Sequence, residues 1–179
     1  MCNICAKTAY LCRMKFDPAI TVAFTGHRSY RGESVQQLDH AVSSLADRGA
    51  TTFLCGMAVG FDMAAAESVM RMRTLLADRE IRLVAVVPFR GQEARFPSSQ
   101  RMRYRRILAA ADHTVVLAEH YSPECYSRRN DFLTDNAQTL VAWYDGSHEG
   151  GTHYTVARAR RLARTIINLR QSEQLEMEF

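Results

Sequence analysis

The segment Thr25-Gly26-His27-Arg28 places a hydroxyl, an imidazole and a guanidinium beside a glycine, a combination that suits an anionic ligand. The glycine lets a ligand approach the backbone closely, or lets the chain turn with positive φ. The segment ends a hydrophobic run, residues 20–24, that is typical of a buried parallel strand. Open α/β sheets bind ligands at the carboxyl ends of their strands. The sequence therefore indicates a binding crevice here, and the alternative is an ordinary turn after a strand.

A second segment, Gly56-Met57-Ala58-Val59-Gly60-Phe61-Asp62, follows another short hydrophobic run. Its two glycines at a strand-to-helix junction resemble a phosphate-binding loop in general design. It is not a P-loop or a dinucleotide fingerprint, because neither Gly-Lys-Ser/Thr nor Gly-x-Gly-x-x-Gly is present. Asp62 is either a helix cap or a carboxylate for a ribose hydroxyl or a catalytic water. Glu67, on the second turn of the same helix, is the second candidate carboxylate.

Two further groups of residues have chemistry to offer. Gly150-Gly151-Thr152 opens a predicted helix, where free backbone N–H groups and the positive helix end favour an anion. The alternative is a flexible glycine turn with a threonine cap. The other group lies on a helix predicted to start at Ser122-Pro123, with Ser122 as N-cap. It carries Tyr126 and Asn130 on one face, with Arg129 beside them, and the alternative is an exposed polar face.

The hydrophobic pattern predicts the elements that position these groups. Strands are predicted at residues 19–24, 51–55, 82–87, 113–118, 139–144 and 165–169. Helices are predicted from a capping box at Ser34 to residue 48, and at 62–77, 98–111, from 122 onward and at 150–164. This alternation predicts a single doubly wound, mostly parallel Rossmann-like α/β sheet with helices on both faces. Most of the candidate motifs then converge on one edge of the sheet.

Length and composition limit the class of protein. The chain has 179 residues, 47% of them hydrophobic, which is enough for one soluble domain with a full core. We predict that domain over residues 15–170, with tails at 1–14 and 171–179. No run of about 18 apolar residues predicts a membrane span. With no signal-peptide pattern at the start, the sequence predicts a cytoplasmic protein without a membrane partner.

The cysteines and the net charge exclude few classes of protein. Five cysteines without a secretion signal predict reduced thiols. Cys2, Cys5 and Cys12 could begin a metal site, but the four ligands that zinc needs are not in evidence, so neither a metal nor a cofactor is predicted. The net charge of +4 comes almost entirely from arginine, since Lys7 and Lys15 are the only lysines. Arginine suits phosphate, although arginine-favouring codon usage explains this equally well.

The motifs together resemble a known family. Thr25-Gly26-His27-Arg28, Gly56 to Asp62 with Glu67, Pro88-Phe89, Tyr126 with Arg129-Asn130, and Gly150-Gly151-Thr152 occur in that order. In this set the chain resembles a YpsA-like member of the SLOG superfamily over residues 16–169. These Rossmann-like domains are related to the DNA-processing protein DprA and to the LOG phosphoribohydrolases. The resemblance implies a pocket for a nucleotide or nucleotide-derived ligand.

The resemblance also implies roles for individual residues. The phosphate or ribose side of the ligand is expected to be lined by Gly26, Gly56, Gly60, Gly151 and Thr152. Polar contacts are expected from Arg28, Asp62, Glu67 and Asn130. The other candidate ligand-binding residues are Thr25, His27, Arg129 and Gly150.

One departure from the family pattern bears on catalysis. LOG hydrolases carry Gly-Gly-x-Gly-Thr-x-x-Glu, whose glutamate takes part in cleaving the N-glycosidic bond. Here the third residue after Thr152 is Thr155. The sequence therefore favours binding of the ligand, as a sensor or regulator, over hydrolysis. If the chain is a nucleotide N-glycosidase instead, Asp62, Glu67 or Glu149 would have to supply the catalytic carboxylate.

The predicted partner is a nucleotide-derived small molecule, and any output is expected to pass through a homo-oligomer or a protein partner. Single-stranded nucleic acid, as in the DprA relatives, is the third hypothesis. It rests on arginines within residues 101–106 and 158–164. Against it, the aromatic residues are not interleaved with the arginines as a stacking surface would require.

Overall fold

The structure, a computed structural model, describes residues 8–10 and 16–170. These residues form seven strands: β1 Thr8–Tyr10, β2 Thr21–Gly26, β3 Thr52–Cys55, β4 Arg82–Val87, β5 His113–Val116, β6 Thr139–Trp143 and β7 Thr165–Asn168. They also form five α-helices: α1 Val35–Asp47, α2 Phe61–Leu75, α3 Ser98–Ala110, α4 Cys125–Asp135 and α5 Gly150–Arg161. Short 3-10 turns occupy Pro18–Ile20 and Gln92–Arg95.

The strands form one sheet in the order β1-β5-β4-β3-β2-β6-β7, and every pairing is parallel. From β2 the chain moves outward through β3 and β4 to β5. It then returns to the other side of β2 as β6 and continues to β7. The connections that leave β2 and β6 thus run in opposite directions, which makes this strand pair the topological switch point where such sheets bind ligands.

Helices cover both faces of the sheet, which explains why the strands are continuous hydrophobic runs. Val22 and Phe24 of β2 face one core cluster, which includes residues from α1, α2 and α3. Ala23, between them, faces the other cluster, which includes Leu133 of α4 and Val156 of α5. The predicted fold class, a parallel Rossmann-like sheet between two helical layers, is confirmed.

The element bounds differ from the predicted ones where local hydrogen bonds intervene. β2 starts two residues late because the Asp17 side chain accepts a hydrogen bond from Ala19 N and holds Pro18–Ile20 in a 3-10 turn. Residues 8–10, within the tail predicted at 1–14, form β1 and pair with β5 at the sheet edge. The rest of that tail, with Cys2, Cys5 and Cys12, and residues 171–179 lie outside the described residues.

One predicted helix start is wrong, and one predicted side-chain cap does not form although its helix, α1, begins where predicted, with Ser34 as N-cap. α4 begins at Cys125 rather than after a Ser122 cap, because Ser122 to Cys125 forms a turn in which Cys125 N donates to Ser122 O. The capping box at Ser34 does not form. Ser34 N donates to the Tyr30 hydroxyl, and the Ser34 Oγ is buried without a hydrogen-bond partner within the described residues.

Two features that mark other classes of protein are absent from the described residues. None of their helices combines the length and the apolar character needed to cross a membrane. No group of three or more His, Cys, Asp or Glu side chains in these residues is placed to hold a metal ion.

Candidate functional site

The loops that follow β2 and β6 are joined at the switch point. Gly26 and Trp143 are paired at the ends of the two strands. Just beyond them, His27 Nε2 lies 3.0 Å from Asp145 Oδ1, and the His27 ring stacks on Tyr144 with 6.1 Å between centroids. The backbone N–H of Ser147 donates to Asp145. This hydrogen bond, helped by the charges of His27 and Arg170, lowers the pKa of Asp145 to about 2.

The first turn of α5 borders the same crevice and is open. An α-helix leaves its first N–H groups without intrahelical acceptors, at its positive end. Gly150, at the start of α5, has φ +87, and a Cβ there would meet nothing within 4 Å among the described residues. At Gly151 a Cβ would come no closer than 3.6 Å to Asn130 Nδ2, the group that donates to the Gly151 carbonyl. An anion could therefore approach the backbone here, while Thr152 is itself buried.

Asp62 and Arg129 form a buried ion pair. Arg129 Nη1 lies 2.9 Å from Asp62 Oδ2, and both residues are less than a tenth exposed. Arg129 Nη1 also donates to the Gly56 carbonyl, and Ala58 N donates to Asp62 at 3.2 Å. Burial raises the pKa of Asp62, although the Arg129 charge acts in the opposite direction. The pair joins α4 to the N-terminal end of α2. Contact of either residue with a ligand stays a prediction.

Three of the glycines assigned to the ligand have neighbours within the protein. A Cβ at Gly26 would lie 2.5 Å from Phe61, and one at Gly56 would lie 2.0 Å from Arg129 Nη1. Gly60 has φ +93, and a Cβ there would lie 2.7 Å from the carbonyl oxygens of His27 and Arg28. At Gly26 and Gly60 internal packing alone requires a glycine, and at Gly56 a side chain would displace the buried Arg129 guanidinium. Among the predicted glycines, Gly150 has open space beside it and Gly151 has room for a methyl group.

Glu67 lies apart from the switch point. Arg103 contacts both of its carboxylate oxygens, at 2.9 and 2.7 Å, and Arg106 contacts one at 2.6 Å. Burial would raise the pKa of Glu67, but the two guanidinium groups outweigh it and the pKa is lowered. Glu67 lines a cavity of about 590 Å³ that α2 shares with the loop after β2 and the first turns of α3. Of the other predicted site residues, Arg28 and Gly60 also line it.

The remaining predicted residues lie at the carboxyl edge of the sheet. Thr25 is buried near the end of β2, where it pairs with Ala142. Arg28 is exposed, and its guanidinium carbon lies 5.6 Å from the centre of the Tyr126 ring. Tyr144 and Asp145 are not among the site residues predicted from the sequence, although both immediately follow β6. Their position at the end of a central strand is the signal that could have found them.

The sequence was compared with known families. The family that matches is YpsA, described as the YspA SLOG family, over residues 33–174. The chain belongs to the YpsA SLOG family. The resemblance inferred from the motifs is therefore confirmed.

Curated relatives of this YpsA-family chain are bacterial. A UPF0398 protein of Bacillus cereus is 30% identical over 105 residues, which are 58% of this chain and 56% of the relative. A UPF0398 protein of Bacillus velezensis is 25% identical over 157 residues, 80% of this chain and 85% of that protein. The match to the Bacillus cereus protein thus spans little more than half of its length.

Solved structures share the fold at low sequence identity. DNA processing protein A (DprA) of Streptococcus pneumoniae superposes with a TM-score of 0.59 at 16% identity, covering 84% of this chain and 49% of that one. DprA of Helicobacter pylori, whose structure describes a single-stranded DNA binding mode, gives a TM-score of 0.59 at 17% identity. That match covers 89% of this chain and 73% of the other. At this identity the likeness concerns the fold alone.

Proposed function

We propose that this protein binds a nucleotide or nucleotide-derived ligand in the crevice at the carboxyl ends of β2 and β6, and acts as a sensor or regulator. The observation that carries the proposal is the open first turn of α5. Gly150 and Gly151 offer backbone N–H groups at the positive end of a helix, and neither has a side chain to block an anion. A phosphate group is the anion that nucleotides would bring to it.

The surroundings of this turn support the same ligand class. Tyr144 connects the two sides of the crevice, because its ring stacks on His27 and its hydroxyl lies 3.0 Å from His153 Nδ1 in α5. Arg28, exposed after β2, supplies a positive charge at the same edge. Membership of the SLOG family and the fold shared with DprA agree with a nucleotide ligand.

Two of the three candidate carboxylates, Asp62 and Glu67, favour binding over hydrolysis. A general acid or base works best with a pKa near the operating pH and with access to the substrate. Glu67 is held ionised by Arg103 and Arg106, and Asp62 is buried against Arg129. Both carboxylates therefore have structural partners that a hydrolytic role would have to displace.

The test is thermal unfolding with AMP, ADP-ribose, NAD and cyclic AMP, on the wild type and two Gly151 variants. A ligand at about 100 times its Kd stabilises by roughly 2.7 kcal/mol, which raises Tm by roughly 5–10 °C for a chain of this size. Gly151→Ala should keep the shift. Gly151→Asp should lose it, because its carboxylate repels phosphate, while its own Tm without ligand is preserved since an acidic side chain suits a helix start.

Two outcomes would contradict the proposal. If none of the four nucleotides shifts the wild type, the chain does not bind this ligand class. If Gly151→Asp keeps the full shift, the ligand does not sit at α5. Chromatography of the nucleotide after incubation then separates a sensor, which leaves it intact, from a hydrolase, which releases the base.

A further inference from the structure

Three aromatic side chains from separate parts of the chain meet at the carboxyl edge of β4 and β5. Phe89 follows β4, Tyr121 follows β5, and Tyr126 lies in the first turn of α4. Ring centroids are 5.4 Å apart for Phe89 and Tyr121, 6.0 Å for Phe89 and Tyr126, and 6.5 Å for Tyr121 and Tyr126. All three pairs meet edge to face. We call these three residues the aromatic cluster.

The aromatic cluster is not part of the core, because none of its members is buried. Tyr121 is 54% exposed, and Phe89 and Tyr126 are half-buried. Two exposed arginines lie over the rings: the guanidinium carbon of Arg95 is 5.7 Å from the centre of Tyr121, and that of Arg28 is 5.6 Å from the centre of Tyr126. Accessible aromatic rings with guanidinium planes beside them are the groups on which proteins stack nucleobases.

Helix α4 fixes the distance from the aromatic cluster to the first turn of α5. Tyr126 and Asn130 are four residues apart and share a helix face, about one turn or roughly 6 Å along the axis. Asn130 Nδ2 donates to the Gly151 carbonyl at 3.3 Å. The aromatic cluster therefore lies about one helical turn from the residue that contacts the proposed phosphate site.

We infer that the aromatic cluster is a stacking subsite for the nucleobase of the ligand, with Tyr121 as its exposed ring and Arg95 as the guanidinium plane that faces it. This inference rests on the proposed function for the position of the phosphate. The ligand class is then a phosphate-bearing nucleotide unit, either free or within a single strand. Stacking is tolerant of base identity, so the subsite discriminates between ligands with and without a base rather than among bases.

Calorimetric titration of the wild type, Tyr121→Ala and Tyr121→Phe with AMP and with ribose 5-phosphate tests the inference. Tyr121→Ala should weaken AMP binding about 10-fold, the loss expected for one stacking ring. It should leave the affinity for ribose 5-phosphate within about 2-fold of the wild-type value, because that ligand has no base. Tyr121→Phe keeps the ring and should bind both ligands as the wild type does.

A third titrant, a ten-nucleotide oligo-dT, shows whether the subsite takes the base of a free nucleotide or a base within a single strand. If AMP binds equally well to the wild type and Tyr121→Ala, the subsite is wrong and the proposed function stands. A second outcome is that AMP does not bind, while oligo-dT binds with an affinity that depends on the Tyr121 ring. The subsite then stands, and the proposed free-nucleotide ligand is wrong. A Tyr121→Ala loss that is equal for AMP and ribose 5-phosphate, or no binding of any titrant, overturns the inference.

Discussion

Arg129 Nη1 lies 2.9 Å from Asp62 Oδ2 and also donates to the carbonyl of Gly56, so one guanidinium joins α4 to the loop between β3 and α2. The two residues are 67 positions apart in the chain. Both come from motifs that the sequence assigned to the ligand. In the structure they hold together two of the loops that border the sheet edge.

Removal of one partner of this pair should be strongly destabilising. Arg129→Met leaves the Asp62 carboxylate buried without its counter-charge, and the free energy of unfolding should fall by about 3–5 kcal/mol. Asp62→Asn combined with Arg129→Met should cost less than the sum of the single changes, since neither charge is then left alone. Urea denaturation measures all three variants. Arg158→Met, which removes partly exposed ion pairs with Asp131 and Asp135, is the control and should cost less than about 1 kcal/mol.

The packing around Gly26 predicts intolerance to a single methyl group. Gly26→Ala would place its Cβ 2.5 Å from the Cβ of Phe61. That atom is next to the helix backbone and cannot move alone. We expect a loss of about 1–3 kcal/mol or more in the free energy of unfolding. Gly151→Ala is the matched control: its Cβ has an ordinary contact at 3.6 Å, and alanine is a better helix former than glycine, so stability should be kept. Equal losses in the two variants would contradict the packing argument.

The lowered pKa of Asp145 predicts a specific pH dependence of the free energy of unfolding. Its pKa is about 2 in the folded chain, against an ordinary 3.8. A lowered carboxyl pKa stabilises the fold at pH values above the unfolded pKa, and this contribution is lost as the pH falls from about 4 to about 2. The stability difference between the wild type and Asp145→Asn, measured by urea denaturation, should therefore shrink over that range. A difference that stays constant from pH 5 to pH 2 would show that the Ser147 and His27 contacts do not act on this group.

A Glu67 variant tests whether the ligand binds in the crevice or in the cavity that Glu67 lines. Glu67→Gln removes the charge that Arg103 and Arg106 share, and we expect a loss of about 1 kcal/mol in stability. It should leave the AMP-induced rise in Tm unchanged, because Glu67 lies apart from the first turn of α5. Loss of that rise would instead place the ligand in the cavity that Glu67, Arg28 and Gly60 line. The comparison with Gly151→Asp makes the two positions distinguishable.

The sequence predicted the central strands β2, β3, β4 and β6 well because these strands are buried on both faces. The bounds of β4 agree residue for residue with the prediction, since residues 83–87 after Arg82 are all hydrophobic and Pro88 ends the run. The alternation of strands and helices predicts a parallel sheet but not the order of its strands, and the structure supplies that order, with β2 and β6 adjacent. That order brings Thr25-Gly26-His27-Arg28 and Gly150-Gly151-Thr152 to the same edge.

The partners of individual side chains could not be predicted in the same way. Local spacing relates residues within one helix or strand, whereas Asp62 meets Arg129, and Phe89 meets Tyr121, through the tertiary fold. The neighbours of the glycines could not be predicted from local spacing either. A glycine at a strand end suits a ligand and a packed phenylalanine equally, and the position of Phe61 under Gly26 is a property of the assembled sheet and helix.

Two neighbouring residues on α4 reach opposite helical layers: Arg129 binds the start of α2, and Asn130 binds the first turn of α5. A single helical turn thus links the two helical layers at the edge of the sheet. If a ligand at the proposed phosphate site shifted the Gly151 carbonyl, the movement would reach the other layer through this turn. The occupied and empty proteins would then differ in the relative placement of their two helical layers, a change that a partner distant from the crevice could detect.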